Sequence, residues 1–243
     1  MGDAEHAAVE KSGGQLTLAI DIGGTGLKAS IIDAAAQMRT DRVRVPTPVG
    51  AAPQKIVETL AALVAPLGAY DRVSVGFPGV VRGGRILTAV NMGNDAWKGF
   101  DLAAALSTAL GKPVRVANDA DIQGLAAIAG KGLEMVITLG TGFGTGLYLD
   151  GRLGPHLELA HHQFRHGETY EQQLSNAVRK QVGSARWNRR VKKAIDSLRR
   201  LTYFDHLYIG GGNAKRIDFP LDPDVTTISN EAGLTGGVAL WRG

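Results

Sequence analysis

The stretch Leu16-Thr-Leu-Ala-Ile-Asp-Ile-Gly-Gly-Thr-Gly-Leu-Lys28 is the part of the sequence that decides the fold. Its apolar first half predicts a buried strand, and Leu27–Ile32 predicts a strand that returns beside it after a glycine turn. Glycines in such a turn let backbone N–H groups approach a ligand without obstruction by Cβ atoms. Strand, glycine turn and strand together form a candidate phosphate-binding hairpin.

Phosphate oxygens suit the side chains of this hairpin as well as its backbone. Thr25 supplies a hydroxyl and Lys28 a cation, while Asp21 is a candidate ligand of Mg²⁺, directly or through water. The alternative interpretation is a tight hairpin with a surface lysine. The predicted phosphate-binding residues here are Asp21, Gly23, Gly24, Thr25, Gly26 and Lys28.

Two further glycine segments follow predicted strands. Met135–Leu139 and Gly146–Asp150 predict a second hairpin around residues 140–144, and His206–Ile209 predicts a strand that runs into a third glycine run. Each segment alone is equally well explained as a turn. Together they enlarge the predicted phosphate site, and the two hairpins suggest duplicated halves. The added residues are Gly140, Thr141, Gly142, Gly144, Gly210, Gly211 and Gly212.

Asn118-Asp119 lies where the predicted strand Val114–Ala117 passes into the predicted helix Ala120–Ala129. One interpretation of Asp119 is a helix cap, a common role for aspartate at that position. The other is catalytic, because a carboxylate with a reference pKa of about 3.9 is ionised at neutral pH and accepts a hydroxyl proton during phosphoryl transfer. The company of the glycine segments favours a general base.

Strands alternate with helices along the chain, which predicts an α/β fold, and the hairpins predict that its sheets are mixed. Further helices are predicted at Gln54–Leu67, Leu102–Leu110, Glu168–Gln181, Arg186–Leu201 and Glu231–Trp241. Asp101 is the expected N-cap of the helix Leu102–Leu110.

Composition limits the location and the cofactors. None of the 243 residues is cysteine, so disulfides and thiolate metal sites are excluded and no structural zinc is expected. Residues 1–15 are polar and predict a disordered tail, and no apolar stretch reaches the length of about 18 residues that a membrane span requires. We therefore expect a cytoplasmic protein without a membrane partner.

Positive charge is concentrated late in the chain. The net charge is +4, but residues 161–216 hold twelve Lys or Arg against four Asp or Glu. This excess indicates either an anionic partner or a solvated helix face. Because aromatic residues are not interleaved, nucleic acid is not the expected partner. The candidate track for a long polyanion is Arg186, Arg189, Arg190, Lys192 and Lys193.

Glu158-Leu-Ala-His161-His162 combines a carboxylate with imidazoles soon after the second glycine segment. Glutamate accepts hydrogen bonds from sugar hydroxyls, and histidine donates or accepts them. The sequence does not favour the paired histidines as metal ligands, since the chain shows no further Cys or His cluster with the spacing that a metal site requires. The remaining alternative is a surface pair without a function.

Taken together, these residues resemble the ROK family of sugar kinases and repressors, and within it the branch of polyphosphate-dependent glucokinases. The resemblance runs from about Leu16 to Trp241. It implies the actin-like ATPase (ribonuclease H-like) fold, with two α/β domains, a cleft between them and a homodimeric assembly. The first domain would be residues 16–117 with a closing helix at 231–243, and the second residues 118–230. The motifs that carry the resemblance are residues 21–28, 77–81, 118–121, 140–144 and 210–212.

The resemblance also assigns roles. It implies that Asp119 is the general base, and that Asn91, Asn118, Glu158 and His161 hold the sugar. The activity implied is transfer of a phosphoryl group, with Mg²⁺, from polyphosphate, ATP or both to the 6-hydroxyl of glucose or a related hexose. The missing cysteine-rich zinc motif favours polyphosphate. The alternatives are an ATP-dependent kinase for another hexose or amino sugar and a non-catalytic sugar-binding regulator.

Overall fold

A computed structural model describes residues 14–89, 92, 95–228 and 235–241. Most of the predicted tail, and Asn91, lie outside these residues. The described chain forms two five-stranded sheets with helices packed on them. None of its helices combines the length and the apolar character needed to cross a membrane.

The strands of both halves confirm the predicted hairpins, since β1 pairs antiparallel with β2 and β8 with β9. In the first half the strands are β1 (Thr17–Ile22), β2 (Leu27–Ile32), β3 (Val43–Val45), β4 (Arg72–Phe77), β5 (Val81–Arg82), β6 (Arg85–Ile86) and β7 (Val114–Asn118). In the second half they are β8 (Leu133–Leu139), β9 (Phe143–Leu149), β10 (Arg152–Leu153), β11 (Gln163–Arg165), β12 (Glu168–Thr169), β13 (His206–Gly210) and β14 (Val225–Thr227).

The two large sheets repeat one topology. Their strand orders are β3-β2-β1-β4-β7 and β10-β9-β8-β13-β14. In each sheet the first three strands pair antiparallel and the last three pair parallel. Both sheets are therefore mixed, as predicted, and the parallel strands β1, β4 and β7 bring their carboxyl ends to one edge.

The described residues form six α-helices that pack on these sheets: α1 (Pro53–Val64), α2 (Leu102–Leu110), α3 (Asp119–Leu125), α4 (Tyr170–Leu174), α5 (Asn176–Val182) and α6 (Ser184–Thr202). Local chemistry fixes several of their ends. Asp101 caps α2 as predicted, its Oδ1 accepting from the Ala104 N–H at 3.0 Å, and Gly111 ends that helix in the left-handed region. In α6, Trp187, Val191 and Leu198 lie on the buried face.

Helix α3 lies between the two sheets. Alternate residues of β1 lie on opposite faces of the first sheet. Leu18 and Ile20 join the core that α1 and α2 cover, whereas Ala19 packs with Val238 of the 3₁₀ segment Gly236–Trp241. In the second sheet, Val136 packs with Leu125 of α3. Helix α3 also contacts β4 and β7 of the first sheet and β8 and β9 of the second. The residue at its N-terminus is therefore placed at the junction of both halves.

The C-terminal segment fastens onto the first sheet. Ser74 of β4 donates to the Gly237 carbonyl at 2.6 Å and accepts from the Trp241 indole N–H at 2.9 Å. The Trp241 ring also packs against the guanidinium groups of Arg72 and Arg115. Where the structure describes the predicted helix Glu231–Trp241, it is a 3₁₀ segment, Gly236–Trp241. The predicted domain boundary between residues 117 and 118 stays a prediction.

The predicted helix Glu168–Gln181 was wrong as a single element. Residues 168–169 form β12, and Ser175 adopts an extended conformation (φ −60°, ψ 160°) that separates α4 from α5. Thr169 forms a capping box with Gln172, so α4 begins at Tyr170. Apolar periodicity continues through Ser175 and does not show the break, whereas the break orients α5 toward the second glycine segment.

The predicted cation track on α6 needs one correction. Arg190 is buried, and its guanidinium donates to the Gln173 carbonyl at 3.2 Å, so it holds α6 against α4. Desolvation by burial lowers the pKa of Arg190, and the charges of Arg186 and Arg165 lower it further. The exposed members are Arg186, Arg189, Lys192 and Lys193. An anion track on these four stays a prediction.

Gly211 is the position where the fold depends most visibly on glycine. Its φ is +87°, and a Cβ there would overlap the backbone of Leu139. We predict that Gly211→Ala lowers the free energy of unfolding by about 3 kcal/mol, since backbone strain and overpacking add. Gly111→Ala is the matched control, because Gly111 has φ +65° with no atom near its missing Cβ and costs about 1 kcal/mol. Urea unfolding measures both; equal losses would contradict this account.

Candidate active site

Asp119 is the first residue of α3, directly after the end of β7. The preceding residue, Asn118, fills the capping role: its Oδ1 accepts from the Ala120 N–H at 2.8 Å and the Asp121 N–H at 3.3 Å. Its side-chain amide also donates to the Gly79 carbonyl at 3.1 Å. The cap interpretation of Asp119 is therefore replaced by a cap at Asn118. That buried amide holds the neighbouring carboxylate in place.

Asp119 is exposed to solvent, although many protein atoms lie near its carboxyl. Desolvation by burial raises the pKa of Asp119 from 3.8 to about 6, and the negative charges of Asp21 and Asp121 add to the rise. The Ala120 N–H, which donates to Oδ1 at 2.9 Å, opposes it. A carboxylate with such a pKa is still ionised at neutral pH, and it is a stronger base than an ordinary aspartate.

The first glycine turn lies at the same edge of the first sheet. Asp21 stands opposite Lys28 in the β1–β2 register, and the Lys28 ammonium lies 2.7 Å from its Oδ2. Gly24 and Thr25 are exposed at the tip, and the Gly23 N–H donates to the Gly26 carbonyl at 3.0 Å. The predicted phosphate cation and the predicted metal ligand thus form an ion pair beside Asp119.

The second glycine segment reaches the same place from the other sheet. A Cβ on Gly144 would lie 2.9 Å from the Ala120 Cβ, so glycine allows the start of β9 to pack against the residue after Asp119. Thr141 is exposed at the tip, and the Glu171 side chain lies against Gly142. The two predicted hairpins are therefore brought together around the N-terminus of α3.

The third glycine run supports the second. Gly211 packs on the backbone of Leu139, and the Asn213 N–H donates to the Leu139 carbonyl at 2.9 Å. A Cβ on Gly210 would lie 3.1 Å from the amide nitrogen of Gln123 in α3. Gly212 is exposed. Residues 210–212 thus form the floor under the second segment.

A partly buried network behind Asp119 joins Asp121 and His156 to the predicted sugar ligand Glu158, and its first two members were not assigned from the sequence. His156 Nδ1 lies 3.0 Å from Asp121 Oδ2, and His156 Nε2 lies 3.1 Å from Glu158 Oε2. Burial alone lowers the pKa of His156, but hydrogen bonds and charges from both carboxylates outweigh it and raise the pKa from 6.5 to about 9. At neutral pH both ring nitrogens therefore donate, and the imidazolium orients Glu158. The signals were present: Asp121 belongs to the 118–121 motif, and His156 precedes Glu158 by two residues.

The other predicted sugar ligands differ in what the structure adds. Asn118 is buried at the site with one amide hydrogen engaged by Gly79, which leaves its second hydrogen for a ligand. His161 is exposed at the end of the 3₁₀ segment Leu159–His161, and no contact among the described residues joins it to Asp119. Asn91 lies outside the described residues. These three roles stay predictions.

A magnesium ion is implied by the predicted chemistry, and the residues present fit one that arrives with the donor. Asp21 is a partly exposed carboxylate at the site, and the described residues contain no cluster of three or more side chains able to enclose a metal. Mg²⁺ is typically held by one or two carboxylates, with its other ligands being water and substrate phosphates. Asp21 suits that arrangement.

The two sheets share one topology, and they meet at the carboxylate of Asp119 between two glycine hairpins. This arrangement defines an α/β protein of the phosphotransferase type. The model of the ROK family matches residues 17–170, and the chain belongs to this family. Polyphosphate glucokinase of Mycobacterium tuberculosis (strain CDC 1551 / Oshkosh) is 31% identical over 233 aligned residues, which cover 89% of this chain and 88% of that protein.

Solved structures agree with this assignment. Inorganic polyphosphate/ATP-glucomannokinase from Arthrobacter sp. strain KM is similar with a TM-score of 0.81 at 33% identity, covering 93% of this chain and 97% of that one. A ROK family glucokinase from Streptomyces griseus, solved with glucose and AMPPNP, has the same fold with a TM-score of 0.73 at 20% identity, covering 93% and 98%. The expected actin-like fold is confirmed.

The His156 network predicts a distinct dependence of stability on pH. A folded-state pKa near 9 against an ordinary 6.5 means that the stabilisation is fully present below pH 6.5 and is lost as the pH rises through 9. We predict that the stability advantage of the wild type over His156→Gln shrinks by about 2 kcal/mol across this window. Urea unfolding of both proteins at a series of pH values measures it. A constant difference from pH 6 to 9.5 would show that folding does not raise the pKa of His156.

Proposed function

We propose that this protein is a sugar kinase that transfers a phosphoryl group from inorganic polyphosphate or ATP to the 6-hydroxyl of glucose or a related hexose. The observation that carries the proposal is the placement of Asp119, whose carboxylate stands between two glycine hairpins with its pKa raised to about 6. A cap or a surface aspartate needs no such placement. Membership of the ROK family and the names of the relatives support the same activity.

Asp119 acts as the general base in this mechanism. As the bond from the sugar oxygen to the terminal phosphorus forms, the bond from that phosphorus to the bridging oxygen of the donor breaks, and the hydroxyl proton passes to Asp119. The shortened donor leaves with the electron pair of the broken bond. In a loose transition state the proton transfers late, so a base with a pKa near 6 is well matched to working at neutral pH.

The acceptor is held by the groups around α3. Glu158, oriented by His156, accepts hydrogen bonds from sugar hydroxyls, and the remaining amide hydrogen of Asn118 donates to one. Asn91 and His161 are proposed to complete the pocket. The sugar is glucose or a close relative: the named relatives act on glucose or, as a glucomannokinase, on mannose as well.

The donor is held by the glycine segments. The backbone N–H groups at the exposed tips of the two hairpins, those of Gly24, Thr25 and Thr141, are proposed to face the phosphates. Lys28 adds a cation that donor phosphates share with Asp21. Mg²⁺, when bound near Asp21, neutralises charge on those phosphates. Polyphosphate is the proposed donor beside ATP because both the mycobacterial relative and the Arthrobacter protein carry it in their names. We also propose that the protein acts in the cytoplasm as a homodimer.

The test is a coupled assay that crosses glucose, mannose and N-acetylmannosamine with ATP and polyphosphate, in the wild type and in Asp119→Asn. We predict activity with glucose and at least one donor, and a loss of kcat of about a hundredfold or more in the variant with little change in sugar affinity. The amide keeps the shape of the side chain and removes only the base.

Two results would contradict the proposal. Absence of sugar phosphorylation with every donor would exclude a kinase and leave the sugar-binding regulator. A turnover of Asp119→Asn close to that of the wild type would exclude Asp119 as the base while leaving the kinase activity itself in place.

A further inference from the structure

Arg179 on α5 is held in one orientation by two neutral amides. Its Nε donates to Asn213 Oδ1 at 3.1 Å and to Asn176 Oδ1 at 3.4 Å, and its terminal nitrogen donates to Asn176 Oδ1 at 3.1 Å. The side chain is half-buried. Three hydrogen bonds from one guanidinium to amide oxygens fix its plane, since arginine has five donors in a rigid fork.

The charge of Arg179 is not neutralised. No carboxylate among the described residues forms an ion pair with it, although Arg199 on α6 pairs with both Asp222 and Asp224. Amide oxygens orient a guanidinium without compensating its charge, and a cation that is partly removed from water without a counter-ion favours an anionic ligand. The unshared N–H groups of the fork are the donors that phosphate oxygens use.

The two asparagines also connect Arg179 to the proposed donor site. The backbone N–H of Asn176 donates to the Gly140 carbonyl at 2.9 Å, and the Asn213 side-chain amide approaches the same oxygen at 3.5 Å. Gly140 lies in the turn of the second hairpin, directly after the Leu139–Phe143 pair, and Gly144 packs against Ala120 beside Asp119. Arg179 therefore stands beside the turn of this hairpin, beyond the strand residue that packs against α3.

We propose that Arg179 binds the phosphates of the donor that are not transferred, with its guanidinium held ready by Asn176 and Asn213. This inference rests on the proposed kinase function and deepens it. The ligand is a phosphate chain, either the inner phosphates of a nucleoside triphosphate or the next units of inorganic polyphosphate. The break at Ser175 serves this arrangement, because α5 starts anew at Asn176 and so presents its first turn to Gly140.

A purely structural role is the alternative, in which Arg179 only fastens α5 to the third glycine run. The two roles differ in what they affect. A fastening residue, when removed, disturbs the sugar and donor sites together and lowers stability, whereas a phosphate-binding residue affects the donor alone. Arg179→Lys separates charge from shape, because lysine keeps the charge and loses the fork.

The experiment measures binding of inorganic tripolyphosphate and of ATP by calorimetry, and KM for donor and sugar, in the wild type, Arg179→Met and Arg179→Lys. Lys180→Met is the matched control, since Lys180 is the exposed neighbour on the same helix. Thermal unfolding verifies that each variant is folded. Binding does not require turnover, so a chain that binds phosphate but transfers none would fail the proposed function without failing this inference.

We expect Arg179→Met to weaken tripolyphosphate binding about tenfold or more, as loss of charge-assisted hydrogen bonds does, with sugar KM unchanged. Arg179→Lys should lie between it and the wild type, and Lys180→Met should resemble the wild type. A larger loss of affinity for tripolyphosphate than for ATP would identify inorganic polyphosphate as the ligand. Equal losses of affinity would show that Arg179 binds the phosphate chain of both ATP and inorganic polyphosphate. Unchanged binding in Arg179→Met, or equal rises of sugar and donor KM, would overturn the proposal.

Discussion

The capping of α3 by Asn118 is the interaction on which the rest of the site depends. One buried amide accepts from two N–H groups of the helix and donates to the Gly79 carbonyl, so the helix, β7 and the loop after β4 are joined at one residue. Because α3 packs against both sheets, this cap fixes Asp119 where the halves meet. In the proposed mechanism a carboxylate at this position receives the acceptor from one side and the donor from the other.

The electrostatics of the site follow from that position. Desolvation by burial raises the pKa of Asp119, and the nearby carboxylates of Asp21 and Asp121 add to the rise. A cation pairs with each of these two carboxylates. Lys28 pairs with Asp21, and protonated His156 bridges Asp121 to Glu158. Asp119 is thereby left as the carboxylate with solvent access and a raised pKa. Lys28 and His156 each orient the carboxylates that they pair with and also balance the charge of those carboxylates.

Much of the fold was predictable because its signals are local. The hairpin of β1 and β2 was located from its glycine turn and apolar strands, and the start of α2 from its N-cap Asp101. The break at Ser175 was missed because a capping side chain and one extended residue outweigh periodicity there. The contacts of His156 with Asp121 and of Arg179 with Asn213 join residues 34 or more positions apart. The 118–121 motif and the spacing of His156 from Glu158 mark residues of interest, but no pattern in the sequence reports which distant residues pair.

The account depends most on the claim that Asp119 is a base with a raised pKa, and the dependence of kcat/KM for the sugar on pH tests it most directly. This ratio reports ionisations of the free enzyme. Because the base must be ionised, activity should fall as the pH drops through about 6, the pKa of Asp119, and approach a tenfold loss per unit below it. An acid limb centred near pH 4, the range of an unperturbed aspartate, would contradict the account.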